Sequence, residues 1–250
     1  MAGHSKWANI KHRKGAQDKK RAKIFTRILK EVSVAVKEGG PDETGNPRLR
    51  LALQNAKGAN VPKDTIDRAI KKASGDDGTN YVEVTFEGYA PNGIAIFVEA
   101  TTDNNNRTVS NVRSIFNKYG GSMGTNGSLD FLFERKGVFE ISRENLTGTN
   151  LEEFEMELID YGLEELSEGE DVVTLYTSFD AFGNMQKELE NRGIEPSSQE
   201  VHRIPNNTEE LELEKAKKVW TMIEKFEEDD DVNAVYHNLE LTEELAEAIS

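Results

Sequence analysis

GVFEIS at residues 137–142, LEEFEMELIDYG at 151–162, LEELSE at 163–168, VVTLYT at 172–177, FDAFGNMQKELEN at 179–191 and EPSSQEVHRI at 195–204 decide the fold of this chain. Val138–Ser142 alternates apolar and polar residues as a half-buried strand does. Leu151–Tyr161 places Phe154, Leu158 and Ile159 at helical spacing. Leu163–Leu166 and Val172–Thr177 read as strands, Phe179–Asn191 as a helix and Glu195–Ile204 as a closing strand. The order βαββαβ predicts a ferredoxin-like unit.

Working outward, the segment before this unit is of mixed type. Tyr81–Gly88 alternates as a strand, Pro91-Asn92-Gly93 is a turn and Ile94–Ala100 is an apolar strand, which together predict a hairpin. Val109, Val112, Ile115 and Phe116 give a helix that starts after Asp103–Asn106 and stops at Gly120-Gly121. The glycine-rich stretch Gly120–Ser128 reads as a mobile loop, and Leu129–Phe133 as a strand. After the βαββαβ unit, Thr208–Glu228 reads as a long helix and Val232–Tyr236 as a strand returning to the sheet begun at Tyr81. The expected class is therefore α+β, with two ferredoxin-like-type α/β domains, one inserted in the other. The discontinuous domain spans 81–134 plus 205–240, the insert 135–204, and 241–250 reads as an acidic tail.

The first 80 residues differ. From Asp18 to Lys37 the residues Ile24, Ile28, Val32 and Val36 fall on one helical face, while Lys20, Lys23, Arg27 and Lys30 form a basic ridge on the other. Gly39-Gly40-Pro41 ends that helix. Asn46 and Pro47 suit the cap and first turn of a second helix, and Pro62 starts a third that stops at Gly75. An N-terminal three-helix domain over 1–80 follows, with Asp76–Asn80 as the linker out of it.

Charge separates this domain from the rest. Met1–Lys30 holds ten Lys or Arg against the single acid Asp18, yet the whole chain of 250 residues carries −15. A concentrated basic end on an acidic molecule predicts a polyanion partner, nucleic acid first. The expected contacts are Lys6, Trp7, Lys11, Arg13, Lys14, Lys19, Lys20, Lys23 and Arg27, with Arg48, Arg50 and Lys57 extending the footprint. The cations neutralise phosphates, and Trp7 stacks on a base or anchors the arm. Arg68, Lys71 and Lys72 are further candidates for that extension, but residues 31–80 hold eight bases and eight acids, so ordinary surface is the better reading for any one of these six. The Gly39–Asn46 connection is too long for a helix-turn-helix, so binding is expected to follow phosphate and shape more than base sequence.

Other classes have little support. With no cysteine, disulfides, thiolate metal sites and cysteine nucleophiles are excluded. His4, His12, His202 and His237 are scattered with no metal-ligand spacing. Gly120–Ser128 lacks the GK[ST] ending of a phosphate-binding loop, and Asp103–Arg107 reads as plain helix capping. No apolar run approaches a membrane span, and Met1–Lys30 is Lys-rich, unlike an Arg/Ser-rich transit peptide. A non-enzymatic, cytoplasmic protein without cofactor, metal or small-molecule substrate is expected.

The residues also resemble a family. Met1-Ala2-Gly3-His4-Ser5-Lys6-Trp7, Gly39-Gly40, Asn46 with Arg48-Leu49-Arg50, Glu87-Gly88-Tyr89, Thr102-Asp103-Asn104 with Asn106-Arg107-Thr108, and Tyr236-His237-Asn238 are similar to the YebC/PmpR family over nearly the full length. The resemblance implies a helical N-terminal domain, two α/β domains and a DNA-binding transcriptional regulator. Its mitochondrial branch of translational activators and its ribosome-associated members imply an alternative: a translation factor that relieves stalling, with ribosomal or transfer RNA and the ribosome as partners. A family motif beginning at Met1 implies a bacterial-type cytosolic member without a cleaved leader.

Overall fold

The computed structural model describes residues 17–75 and 79–249, with side chains from Arg21 onward. Three helices come first: α1 (Gln17–Gly39), α2 (Pro47–Gly58) and α3 (Lys63–Ser74). Then follow β1 (Val82–Tyr89), β2 (Ala95–Thr102), α4 (Asn105–Lys118) and β3 (Ser122–Met123). The next six elements are β4 (Phe133–Ser142), α5 (Leu151–Ile159), β5 (Leu163–Glu168), β6 (Val172–Ser178), α6 (Phe182–Asn191) and β7 (Ser198–Pro205). The chain closes with α7 (Leu213–Glu228), β8 (Val232–His237) and α8 (Glu243–Ala248).

The helical unit has its own core, in which Ile28, Val32, Ala35 and Val36 of α1 meet Leu49, Ala52, Ala56, Val61 and Ala73. Asn46 joins the ends of two helices. Its side-chain oxygen accepts from Leu49 N at 3.0 Å and caps α2, while Nδ2 donates to Ala35 O and Gly40 O at 2.7 and 2.9 Å. Gly39 is required beside it, since a Cβ there would lie 2.6 Å from Asn46 Nδ2.

Two antiparallel four-stranded sheets follow, with orders β3-β1-β2-β8 and β5-β6-β4-β7. The second is the ferredoxin-like order for a βαββαβ unit, and it lies between β3 and β8 of the first. β8 pairs with β2, setting Tyr236 opposite Phe97. In the first sheet Ile96, Val98 and Ala100 face α4 and α7 with Phe116, Met222 and Phe226. In the second, Phe139, Ile141, Val173 and Leu175 meet Phe154, Leu158, Met185 and Leu189. A smaller cluster of Ala95, Phe97, Leu129, Phe133 and Tyr236 fills the seam between the sheets.

Several sequence expectations are corrected. Asp130–Leu132 is a 3₁₀ turn instead of a strand, and β4 begins at Phe133 and runs unbroken to Ser142. The Arg135-Lys136-Gly137 interruption hid this continuity: all three pair with β7, and Lys136 and Gly137 also pair with β6. The Gly120–Ser128 loop is pinned, not mobile. It contributes β3, and the buried Glu87 carboxylate accepts from Gly127 N and Leu129 N, both at 2.6 Å. The helix expected from Thr208 starts only at Leu213, because Glu209 bridges to Leu239. The C-terminal residues are not a tail: Leu241 and Leu245 are buried in the first core. Of the expected linker, Asp76–Gly78 lie outside the described residues.

Candidate nucleic-acid interface

Lys6, Trp7, Lys11, Arg13 and Lys14 lie outside the described residues, and Lys19 and Lys20 are placed on α1 by their backbone alone. The remaining candidates can be followed atom by atom. Most of them turn inward, because α1 and α2 lie against the two sheets.

Lys23 Nζ donates to Asp229 O at 2.8 Å, and burial lowers its pKa against the pull of Glu227, Asp229 and Asp230. Arg27 grips Glu200 of β7 with both terminal nitrogens, and the Glu200 charge raises its pKa despite burial. Lys30, expected on an open ridge, is only 8 % exposed. It donates to Thr101 O, Asp230 O and Asp231 Oδ1 at 2.9, 2.7 and 3.1 Å. The basic ridge of α1 is therefore a docking ridge in its second half, with carboxylates and carbonyls from the far end of the chain as its partners.

Asp231 is the centre of this contact. Besides Lys30 it accepts from Thr102 Oγ1 at 3.0 Å, Thr108 Oγ1 at 2.9 Å and Arg107 at 2.7 Å. Burial alone would raise its pKa, but the hydrogen bonds from Arg107, Thr108, Lys30 and Thr102 take it down to about 2. In the sequence Asp103–Arg107 reads as plain capping. The capping reading holds for Asn104, which accepts from Arg107 N at 3.1 Å. The Arg107 side chain does more, closing the Asp231 cluster over the first sheet.

The α2 candidates divide. Arg48 is held by Glu31 at 2.8 and 3.2 Å, Glu38 at 2.8 Å and Glu83 at 2.6 Å, and Glu31 and Glu83 raise its pKa against desolvation. Surrounded by three anions, Arg48 is a structural link to β1 instead of an open phosphate ligand. Lys57 pairs with Glu195 at 2.6 Å, exposed on both sides. Arg50 is exposed and, among the described residues, donates only to the carbonyls of Glu43 and Thr44. Beside these, Asn55 exchanges two 2.9 Å hydrogen bonds with the Gln199 backbone. Gly58 makes this approach feasible, since a Cβ there would sit 2.2 Å from Ser197 O.

Chemically, the helical unit holds a surplus of cations on a scaffold that neutralises those facing the sheets. Among the described residues no helix is long and apolar enough to cross a membrane.

Comparison with known proteins gives concordant matches. The model of the TACO1/YebC protein N-terminal domain matches residues 5–76, and that of the TACO1/YebC second and third domain matches residues 81–239. A protein of Amoebophilus asiaticus named "Probable transcriptional regulatory protein" is 51% identical over 96% of this chain and 98% of its own length. One from Magnetococcus marinus with the same designation is 46% identical over the whole of both chains. The crystal structure of a conserved hypothetical protein from Aquifex aeolicus superposes with a TM-score of 0.83 at 40% identity, covering 95% of this chain and 97% of that one.

Proposed function

Because the chain belongs to the TACO1/YebC family, we propose that it is a non-enzymatic, nucleic-acid-binding regulator of transcription that acts in a cytoplasm-like compartment. The relatives' names as transcriptional regulatory proteins support the regulatory role. The observation that carries the binding reading is the charge partition: Met1–Lys30 sums to +9 on a chain of −15. In this reading the basic unit, residues 1–80, holds the phosphate backbone of DNA. The acidic units, 81–134 with 205–250 and 135–204, repel the duplex and so confine it to one end.

The test is the salt dependence of affinity for a labelled DNA duplex. With about six phosphates neutralised, log affinity should fall against log salt with a slope of about −5. A flat profile would remove the electrostatic basis of the proposal. Comparing promoter with random duplex at fixed salt then separates backbone-led binding from base readout.

A further inference from the structure

The sequence left the cations of α2 and α3 alike as candidates to extend the footprint. The structure separates them within the bundle. Arg27, Lys30, Arg48 and Lys57 are each bound to a carboxylate, two of these on strands (Glu200, Glu83) and two in the loops just before β8 and β7 (Asp231, Glu195). Lys23 is turned into a backbone carbonyl of the loop before β8. Releasing Lys30 to a phosphate would take a cation away from the buried Asp231 carboxylate, which disfavours that exchange.

α3 stands apart from this. Ile66, Ala69, Ile70 and Ala73 turn toward the α1–α2 core, so the opposite face is open. Arg68, Lys71 and Lys72 are exposed there. Among the described residues Arg68 donates only to Asp64 O and Thr65 Oγ1 within its own helix. Among the described residues none of the three makes an ion pair with a carboxylate. The acids of α3, Asp64 and Asp67, lie in its first two turns, whereas the three cations occupy its last two. Residues at i, i+3 and i+4 are neighbours about 5–6 Å apart on a helix surface. Lys37, in the last turn of α1, reaches Gly75 O at 3.5 Å and so adds a fourth cation at the same end.

We propose that the C-terminal half of α3, through Arg68, Lys71 and Lys72, is a phosphate-contacting face of the helical unit. This inference rests on the nucleic-acid reading above and names the surface that carries it out. Cations at a helix C-terminus also complement the helix dipole. That role needs no ligand and would leave binding untouched when the charges are removed.

The experiment uses the full chain, a fluorescent 20-base-pair DNA duplex and the matching RNA duplex, with anisotropy titrations over a range of salt. The probes are Arg68→Gln/Lys71→Gln/Lys72→Gln, and Lys71→Gln/Lys72→Gln as a milder variant that decides the matter if the triple change melts the helix. The control is Lys215→Gln/Lys217→Gln/Lys225→Gln on α7, which removes the same charge from residues already paired with glutamates. The slope on whichever duplex the unaltered protein binds should become shallower by about 2.7 in the triple variant and about 1.8 in the double, with the α7 control unchanged. Unaltered slopes in the α3 variants, with the parent protein binding steeply, would overturn this assignment and leave the nucleic-acid reading standing. An equal shift in the α7 control would also overturn it, showing an effect of net charge alone. A parent protein that binds neither duplex removes both.

Discussion

Asp231 shows how one residue can hold two parts of a chain together. Its carboxylate takes hydrogen bonds from Lys30 in the helical unit and from Thr102, Thr108 and Arg107 in the first sheet and its helix. Asp231→Ala should lower stability by about 3–5 kcal/mol, since it leaves a buried ammonium without its counter-charge; urea unfolding at neutral pH measures this. The pH dependence has a definite sign. The folded pKa of about 2 lies below the ordinary carboxylate value, so the native state binds fewer protons than the unfolded one. The contribution is complete above about pH 4 and is lost as pH falls toward 2, amounting to about 2.5 kcal/mol. His237 acts in a higher window. Burial takes its pKa down to about 4, so the unfolded chain takes up a proton that the folded one refuses. Stability from this residue is complete above about pH 6.5 and declines by about 3 kcal/mol as pH drops to 4. The stability profile of His237→Gln should be flatter between pH 6.5 and 4 than that of the parent, and a profile of unchanged steepness would assign the effect elsewhere.

At the scale of elements, α2 is the piece that fastens the bundle to β7. Asn55 mimics a strand partner for Gln199, and Gly58 lets the helix end come against the Ser197 carbonyl. Gly58→Ala forces a Cβ into that carbonyl, an overpacking of about 1–3 kcal/mol. The expected outcome is faster amide exchange across α1–α3 with the two sheet cores still protected. Uniform loss of protection would instead mean that bundle and sheets unfold as one. The elements themselves were mostly legible in the sequence. Gly39-Gly40, Asn46 and Pro47 mark helix ends through local chemistry, and the change from helical to alternating period at Tyr81 marks the entry into sheet. The continuity of β4 was not legible, because Arg135-Lys136-Gly137 carries no apolar alternation. The facing of the α1 ridge was not legible either. Arg27 and Lys30 are answered by Glu200 and Asp231, residues 173 and 201 positions away, and no local pattern encodes a partner at that distance. A basic stripe looks the same in sequence whether it meets phosphates or the protein's own carboxylates.

For the whole molecule, the two uses of positive charge respond differently to salt, and this separates docking from binding. Exposed cations lose their hold on phosphate as released counterions become less dilute, so affinity with a slope of about −5 falls by about 10⁵ over a tenfold rise in salt. The cations on the sheet-facing side are held in another way. Lys30 and Asp231 are nearly fully buried, Lys23 is bound to a carbonyl, and Arg27 meets Glu200 through two hydrogen bonds. Buried pairs are screened much less than exposed ones, and hydrogen bonds to carbonyls involve no counter-charge to be screened. The exposed pairs Lys57–Glu195 and Arg48–Glu83 should weaken, each by at most about 1 kcal/mol. Small-angle scattering of the free protein should therefore give the same radius of gyration at 50 mM and 500 mM salt, while duplex affinity collapses over the same range. Expansion of the free protein in step with the loss of affinity would mean that the carboxylates of the sheets and the phosphates of the ligand compete for one set of cations. In that event the helical unit must leave the sheets in order to bind.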